Sequence, residues 1–254
     1  MATFSALRTL NLSNLSPSKL RDSAFASFWA KYGPLMSQHV PPQLGPLLSN
    51  VHGRILDLGP GTGDQLRVYP GSQIDVAYGI EPAAPLHEQL LAKAKEAGFR
   101  DNSYRILTCG AQPQELIPAL AKEGLLGEAV GSGGDRGENG VGVFDAIIAI
   151  RVLCGVPDIQ ETADNLFRLL KPGGRLIISE HVVNSHSTFA RALQWFYSNI
   201  VGWTFWMAGC RLQQDTRSIL LKAAGSEGWA SARWWDLDTW APIPHLVGEL
   251  VKKS

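Results

Sequence analysis

No stretch of the 254-residue chain is apolar for long enough to span a bilayer, so the sequence predicts contact with a membrane at its surface at most. An excess of charge of one sign is missing too. Lys+Arg and Asp+Glu both total 23, the formal net charge is zero, and neither a basic block nor an acidic tail breaks the mixture. Nucleic acid is therefore not an expected partner. Cysteine is scarce: Cys109, Cys154 and Cys210 are an odd number set far apart. That spacing fits neither a disulfide framework nor a CxxC-type metal site, and it predicts a reducing, cytoplasmic compartment with no metal. The segment Met1 to Arg21 lacks a basic stretch followed by an apolar one, so a secretory signal is not indicated. Residues 1–22 read as a partly mobile arm, and no internal repeat is present.

What is present is an alternation. Apolar, β-rich runs at Arg54 to Leu58, Ile74 to Ile80, Tyr104 to Thr108, Val143 to Ile150 and Arg175 to Ser179 alternate with helical patterns at Pro82 to Ala97, Pro113 to Lys122 and Pro157 to Leu170. Such alternation predicts a doubly wound α/β domain, residues 23–254, around a mostly parallel sheet covered on both faces. Lys171-Pro-Gly-Gly is expected to end the third helix and turn the chain into a strand. Ahead of the domain, Phe25, Phe28, Trp29, Tyr32, Leu35 and Met36 recur at helical spacing, with Gly33-Pro34 expected to break or kink that helix. Residues 124–142 are Gly-rich and polar, with too little apolar content to pack, and read as an exposed insertion. Seven of the eight tryptophans lie beyond residue 190, within or near an aromatic-rich region at 187–245. Flat rings suit an apolar acceptor pocket, although most of these are expected to be core.

The strongest local signal is Arg54-Ile-Leu-Asp-Leu-Gly-Pro-Gly-Thr-Gly-Asp64, a buried strand running into a loop with glycines at 59, 61 and 63. Glycine lets backbone approach a ligand without interference from Cβ. A dinucleotide fingerprint would carry a third glycine where Asp64 stands, and Asp64 puts negative charge where a pyrophosphate would meet a helix N-terminus. At the end of the second strand, Glu81 is placed to accept both hydroxyls of a ribose. The expected ligand is a nucleoside without phosphates.

Together with Phe144-Asp145-Ala-Ile-Ile and Leu170-Lys-Pro-Gly-Gly-Arg-Leu, these residues resemble the class I S-adenosylmethionine-dependent methyltransferases over roughly residues 53 to 181. The resemblance implies a single Rossmann-like domain with seven strands and S-adenosylmethionine as cofactor. It implies that Asp57, Gly59, Gly61 and Gly63 surround the methionine part, that Glu81 holds the ribose, and that Gly110, Ala111 and Gln112 lie beside the adenine. Arg151, Val152 and Leu153 would line the other side. Further segments, Tyr69-Pro70, Val152-Leu-Cys154, Glu180-His181-Val182, Gly209-Cys210-x-Leu212 and Pro244-His245-x-x-Gly248, are similar to the microsomal thiol methyltransferases, the methyltransferase-like 7 group. That similarity implies a small, lipophilic acceptor, with a thiol favoured.

A sulfonium methyl is already activated, so the protein's task is to align the acceptor lone pair and exclude water. A thiol is a few per cent ionised at neutral pH and needs little help from a base. His181 follows the fifth strand, where ligands of open α/β sheets bind, and is the candidate general base. A His181 that only hydrogen-bonds backbone is the competing reading. Trp29, Tyr32, Trp195, Cys210 and His245 are candidate acceptor contacts, Trp29 and Tyr32 through a helix that either closes as a lid or packs permanently. Transfer to oxygen or nitrogen of a secondary metabolite, a cyclisation without methyl transfer, and a regulatory binding module all stay open, because fold does not determine function.

Overall fold

The computed structural model describes residues 17–37, 40–126 and 142–254. Most of the expected arm and of the Gly-rich insertion, residues 1–16 and 127–141, lies outside the described residues. Seven strands form one sheet: β1 (Gly53–Leu58), β2 (Ile74–Ile80), β3 (Tyr104–Leu107), β4 (Phe144–Ile150), β5 (Leu170–His181), β6 (Trp229–Leu237) and β7 (His245–Lys252), in the order β3-β2-β1-β4-β5-β7-β6. The first five run parallel, while β7 lies antiparallel to both β5 and β6.

Alternation along the strands builds two cores. Leu56, Leu58, Ile147, Ala149, Leu176, Ile178, Leu246 and Leu250 face one layer, with Leu116, Leu120, Leu166 and Leu220 packed on them. Ile55, Ala146, Ile148, Ile177 and Val247 face the other, under Leu44, Leu48, Leu90 and Ala94. Because both faces are buried, these strands read as continuous apolar runs. The covering helices are α2 (Leu44–Leu48) and α3 (His87–Glu96) on the second face, and α4 (Pro113–Lys122), α5 (Ile159–Leu169) and α8 (Thr216–Ala223) on the first. Two further helices, α6 (Thr188–Phe196) and α7 (Trp203–Trp206), joined by a π-turn at Tyr197–Val201, follow β5.

Three expectations change. Helix α1 (Pro17–Met36) starts within the segment read as an arm and runs through Gly33-Pro34 unbroken. Pro34 falls in its last turn, so the i→i−4 hydrogen bond it cannot make is lost near the helix end, and Ser37 N still donates to Gly33 O at 2.9 Å. The aromatic stripe of α1 is not buried as a whole: Phe28, Tyr32 and Leu35 are exposed, and the buried side is Ala26 and Gly33 with Trp29 half-buried. Strand β5 begins at Leu170 instead of Arg175 and absorbs Lys171-Pro-Gly-Gly as an irregularity between Phe144↔Leu170 and Ala146↔Arg175. It also extends to His181, because pairing with β7 continues through Glu180↔Leu246 and His181↔His245.

Strand order reverses at β1 and β4. The chain leaves β1 toward β2 and β3 and returns to β4 on the other side, which opens a crevice beyond the carboxyl ends of β1 and β4. Gly59, just after β1, and Val152, just after β4, meet there: a Cβ on Gly59 would stand 2.8 Å from Val152 Cγ2.

Candidate active site

The loop after β1 holds Gly59, Gly61 and Gly63 at φ of +57°, +59° and +79°, the left-handed region that side-chain-bearing residues disfavour. Gly59 N donates to Ile80 O at 2.9 Å, which seats the loop on the end of β2. There Glu81 closes it from beneath: Oε2 accepts from Gly61 N and Oε1 from Ala83 N, both at 2.9 Å. Burial raises the Glu81 carboxyl above its ordinary value, with these two bonds and His87 acting against the rise. Each Glu81 oxygen keeps a further lone pair with which to accept a hydroxyl.

Asp57 is buried and accepts from Tyr104 Oη at 2.8 Å and Tyr69 Oη at 3.1 Å. Burial pushes its carboxyl up to about 7, against those two hydrogen bonds. The negative charge read at Asp64 is compensated in the fold, since its carboxylate is held by Lys93 of α3 and by the Thr62 hydroxyl. A cleft above this floor is lined by Trp29, Asp57, Gly59, Gly63, Tyr69 and Arg151. Trp29 packs on the loop so closely that its indole nitrogen would lie 2.5 Å from a Cβ at Gly61, and the Arg151 guanidinium stands 6.0 Å over its ring. Tyr32 is 40% exposed and packs on Phe28. On the far side of Glu81, Ala111 is buried and Gln112 precedes the first residue of α4, where Glu115 accepts from Gly110 N at 2.7 Å and from the Gln112 amide. A glycine cradle without Cβ atoms, a buried carboxylate at the end of β2 and an aromatic cover fit the nucleoside end and the methionine end of S-adenosylmethionine.

The opposite wall depends on a residue that the sequence reading did not single out as a site residue. Glu180 is fully buried, and its carboxylate accepts from Val152 N and Leu153 N at 2.9 Å and from Cys154 N at 3.4 Å. Burial lifts its carboxyl to about 7 against those bonds. The turn that carries Arg151 (φ +57°), Val152 and Leu153 is thus shaped by an acid at the end of β5. An ionisable side chain closing the run Leu-Ile-Ile-Ser was the available signal. Tyr69 was legible only as part of the Tyr69-Pro70 resemblance, and Tyr104, which also holds Asp57, left no signal beyond being aromatic.

Beyond that turn lie residues the chain separates widely. Antiparallel pairing of β5 with β7 sets His181 beside His245, with ring centroids 4.5 Å apart. Burial, then His181 and Arg151, lower His245 to about 4. Cys210 Sγ lies 3.8 Å from His181 Nδ1, and Cys154, Cys210 and Leu212 form a small core flanked by Tyr197, Trp203, Met207 and Ile243. A hydrogen bond from the Cys154 thiol draws Cys210 down to about 5, and the same contact followed by burial pushes Cys154 well above the usual thiol range. Cysteines read as unrelated are thus neighbours here, both free. The late tryptophans divide: Trp229, Trp234 and Trp235 belong to the edge strand β6, Trp203 belongs to the cysteine core, and Trp195, Trp206 and Trp240 are exposed. Buried Asn184 and Gln194 tie this region together, Gln194 Nε2 donating to Val182 O at 2.9 Å and Asn184 Nδ2 to Thr239 O and Ala241 O at 2.9 Å.

Residues 28–225 match a family model described as a methyltransferase domain. Human thiol S-methyltransferase TMT1B is 30% identical over 209 residues, covering 81% of this chain and 74% of that protein. Among solved structures, a geranyl diphosphate methyltransferase in complex with S-adenosylmethionine shares the fold at a TM-score of 0.53 and 13% identity, over 86% of this chain and 85% of that one. The [4+2]-cyclase SpnF does so at 0.52 and 16%, over 83% and 80%. With a glycine cradle at the strand-order reversal, an acid after β2 and these matches along most of its length, the chain belongs to the class I S-adenosylmethionine-dependent methyltransferases, in the group of the thiol S-methyltransferases.

Proposed function

We propose that this methyltransferase acts on a small, lipophilic acceptor, and that the acceptor atom is a thiol sulfur. One observation carries the reading: a compact set of polar groups, Cys154, His181, Cys210 and His245, enclosed by Tyr197, Trp203, Met207 and Ile243, next to the turn that walls the cofactor cleft. A small apolar cluster carrying a few convergent polar groups favours a compact uncharged molecule over a basic peptide or nucleic acid. S-adenosylmethionine supplies an activated methyl group. Glu81 holds the ribose hydroxyls through its unused lone pairs, while Asp57 and the three glycines shape the methionine end. Ala111 and Gln112 flank the adenine, and Arg151, Val152 and Leu153 form the opposite wall. Trp29 covers the loop and excludes water, the condition under which alignment is most effective. His181 takes the acceptor's proton, with Cys210, His245 and, further out, Trp195 and Tyr32 as acceptor contacts.

Exposed Phe189, Trp195, Phe196, Ile200, Phe205 and Trp206 cluster on α6, the π-turn and α7. We place the protein in the cytoplasm, with this surface meeting a membrane peripherally; among the described residues no helix is long and apolar enough to cross one.

The test is a competition. Protein and S-adenosylmethionine carrying a labelled methyl are offered an aryl thiol, the matching phenol and the matching amine, and products are identified by mass. Preferential methylation of the thiol, reduced by His181→Ala, is expected. Phenol or amine turning over faster overturns the thiol assignment. The shared fold with a [4+2]-cyclase supports a second reading, and cofactor that binds yet keeps its methyl with all three acceptors would favour it.

A further inference from the structure

Methyl transfer as described leaves one feature of the acceptor wall unused. A sulfur from Cys154, a sulfur from Cys210 and a ring nitrogen from His181 lie within 4.8 Å of one another. Around a tetrahedral zinc ion, with Zn–S of about 2.3 Å and Zn–N of about 2.0 Å, a sulfur and a nitrogen ligand stand about 3.5 Å apart and two sulfurs about 3.8 Å. Cys210 Sγ and His181 Nδ1 are already separated by 3.8 Å.

We propose that Cys154, His181 and Cys210 form a binding site for a soft divalent cation of the zinc type, with a fourth position open to the acceptor. The donor set argues for the class of ion, since two thiols and an imidazole suit zinc and are poor ligands for magnesium or calcium. Charge argues for occupancy. Two thiolates neutralise the cation, so no net charge is added to a buried pocket. The ligands sit on firm supports: Cys154 O accepts from Arg211 N at 2.8 Å, Cys154 N is bound to Glu180, and His181 ends a central strand with its ring packed on His245. Closing the cluster therefore asks for side-chain rotation, not backbone movement. The Trp203 indole N–H is buried and reaches no acceptor at full hydrogen-bond geometry, and Trp203 packs against the cluster of Cys154 and Cys210. Donors of that kind orient and tune metal-bound thiolates. Three protein ligands and one open position are the pattern of catalytic zinc, whereas structural sites are closed by four.

The consequence for catalysis rests on the thiol reading. An acceptor thiol that takes the fourth position loses its proton to solvent as its sulfur bonds the cation. One of its two remaining lone pairs then attacks the methyl carbon: the new S–CH3 bond forms, the bond from that carbon to the sulfonium sulfur breaks, and a thioether and S-adenosylhomocysteine leave. In the loaded protein the cation, not His181, activates the acceptor.

Binding of the cation is testable without any acceptor. The full chain, stripped by a chelator under reducing conditions, is titrated with Co2+ and the spectrum recorded. About one equivalent is expected, with thiolate-to-cobalt charge-transfer absorption and tetrahedral ligand-field bands that Zn2+ abolishes. Cys154→Ser and Cys210→Ser should lose these bands while Cys109→Ser keeps them, and retained S-adenosylhomocysteine binding in every variant shows that the fold survives. No cobalt uptake by intact protein that binds S-adenosylhomocysteine, or the same uptake by a Cys154→Ser, Cys210→Ser double variant, overturns the site. Bands displaced by an aryl thiol and not by the phenol support the open position, and bands unmoved by both overturn it. A failed thiol competition with an intact cobalt spectrum would reject the thiol reading and leave the metal site standing.

Discussion

On the cofactor side of the cleft, one glycine loop and one acid do most of the shaping: Gly59, Gly61 and Gly63 turn the backbone, and Glu81 reaches Gly61 N across the neighbouring strand end. On the acceptor side no single contiguous stretch does this, and the wall is assembled from several short segments. Glu180 reaches back to the turn at 152–154, Cys210 meets His181 and Cys154, and Gln194 joins Val182 to Leu212. The two walls also differ in where their aromatic side chains go. Tyr69 and Tyr104 are buried in service of Asp57, while Trp195, Phe205, Trp206 and Trp240 face solvent. A wall that is local in sequence tolerates drift elsewhere in the chain, and a wall assembled from distant pieces depends on each long-range bond.

That contrast breaks first at Glu180. Glu180→Ala strips the acceptor from three backbone N–H groups in a buried turn, and at about 1–3 kcal/mol for each orphaned donor the expected loss of stability is about 3–5 kcal/mol. Urea unfolding measures it, and a loss below about 1 kcal/mol would mean that water replaces the carboxylate. Next in size is Glu81→Ala, expected to weaken S-adenosylmethionine binding about 100-fold, or about 2.7 kcal/mol, in calorimetric titration. Gln194→Ala, on the other wall, should leave that affinity within about threefold, or about 0.7 kcal/mol, and equal losses in both variants would erase the distinction between the walls.

Both walls carry a raised carboxyl, which sets a pH response. Asp57 and Glu180 move from 3.8 and 4.5 to about 7, so between these limits the folded chain holds protons that the unfolded chain has released. The stability these two groups contribute therefore falls as pH rises toward about 7, by up to about 1.4 kcal/mol per pH unit for each, while His245, lowered to about 4, and Cys210, lowered to about 5, act in the opposite sense over part of the same range. Unfolding midpoints taken from pH 5 to pH 8 should show the Asp57 share as a difference between the wild type and Asp57→Asn that shrinks as pH rises; a difference independent of pH would contradict it. The smallest effects belong to the exposed rings. Trp240→Ala and Trp206→Ala, at residues 80% and 69% exposed, should change stability by no more than about 0.5 kcal/mol. A larger change at Trp206 would show that its ring is covered in solution.

The parallel strands could be read from the chain because burial on both faces leaves uninterrupted apolar runs: β2 was placed at its observed limits, Ile74–Ile80, and α4 at Pro113–Lys122. The glycine loop and Glu81 were legible for the same kind of reason, since φ values near +60° demand glycine and an acid after a buried strand is conspicuous. Helix α1 was expected to break or kink at Gly33-Pro34 and instead is not broken there, because periodicity does not say whether a proline falls mid-helix or in the last turn. The length of β5 was underestimated, because its two ends are strand only by virtue of pairing with β4 and β7. No feature of single-residue spacing announced that Cys154, His181 and Cys210 would meet.

The sequence by itself determined the α/β alternation and a nucleoside-binding loop without a phosphate site, because each depends on patterns within about twenty residues. Only the tertiary structure decided which acid shapes the opposite wall, how Asp64 is neutralised by Lys93, and that two cysteines and a histidine meet. Those outcomes follow from strand pairing and helix packing between distant segments, and contacts of that kind are set by the assembled core and leave no local trace in the chain.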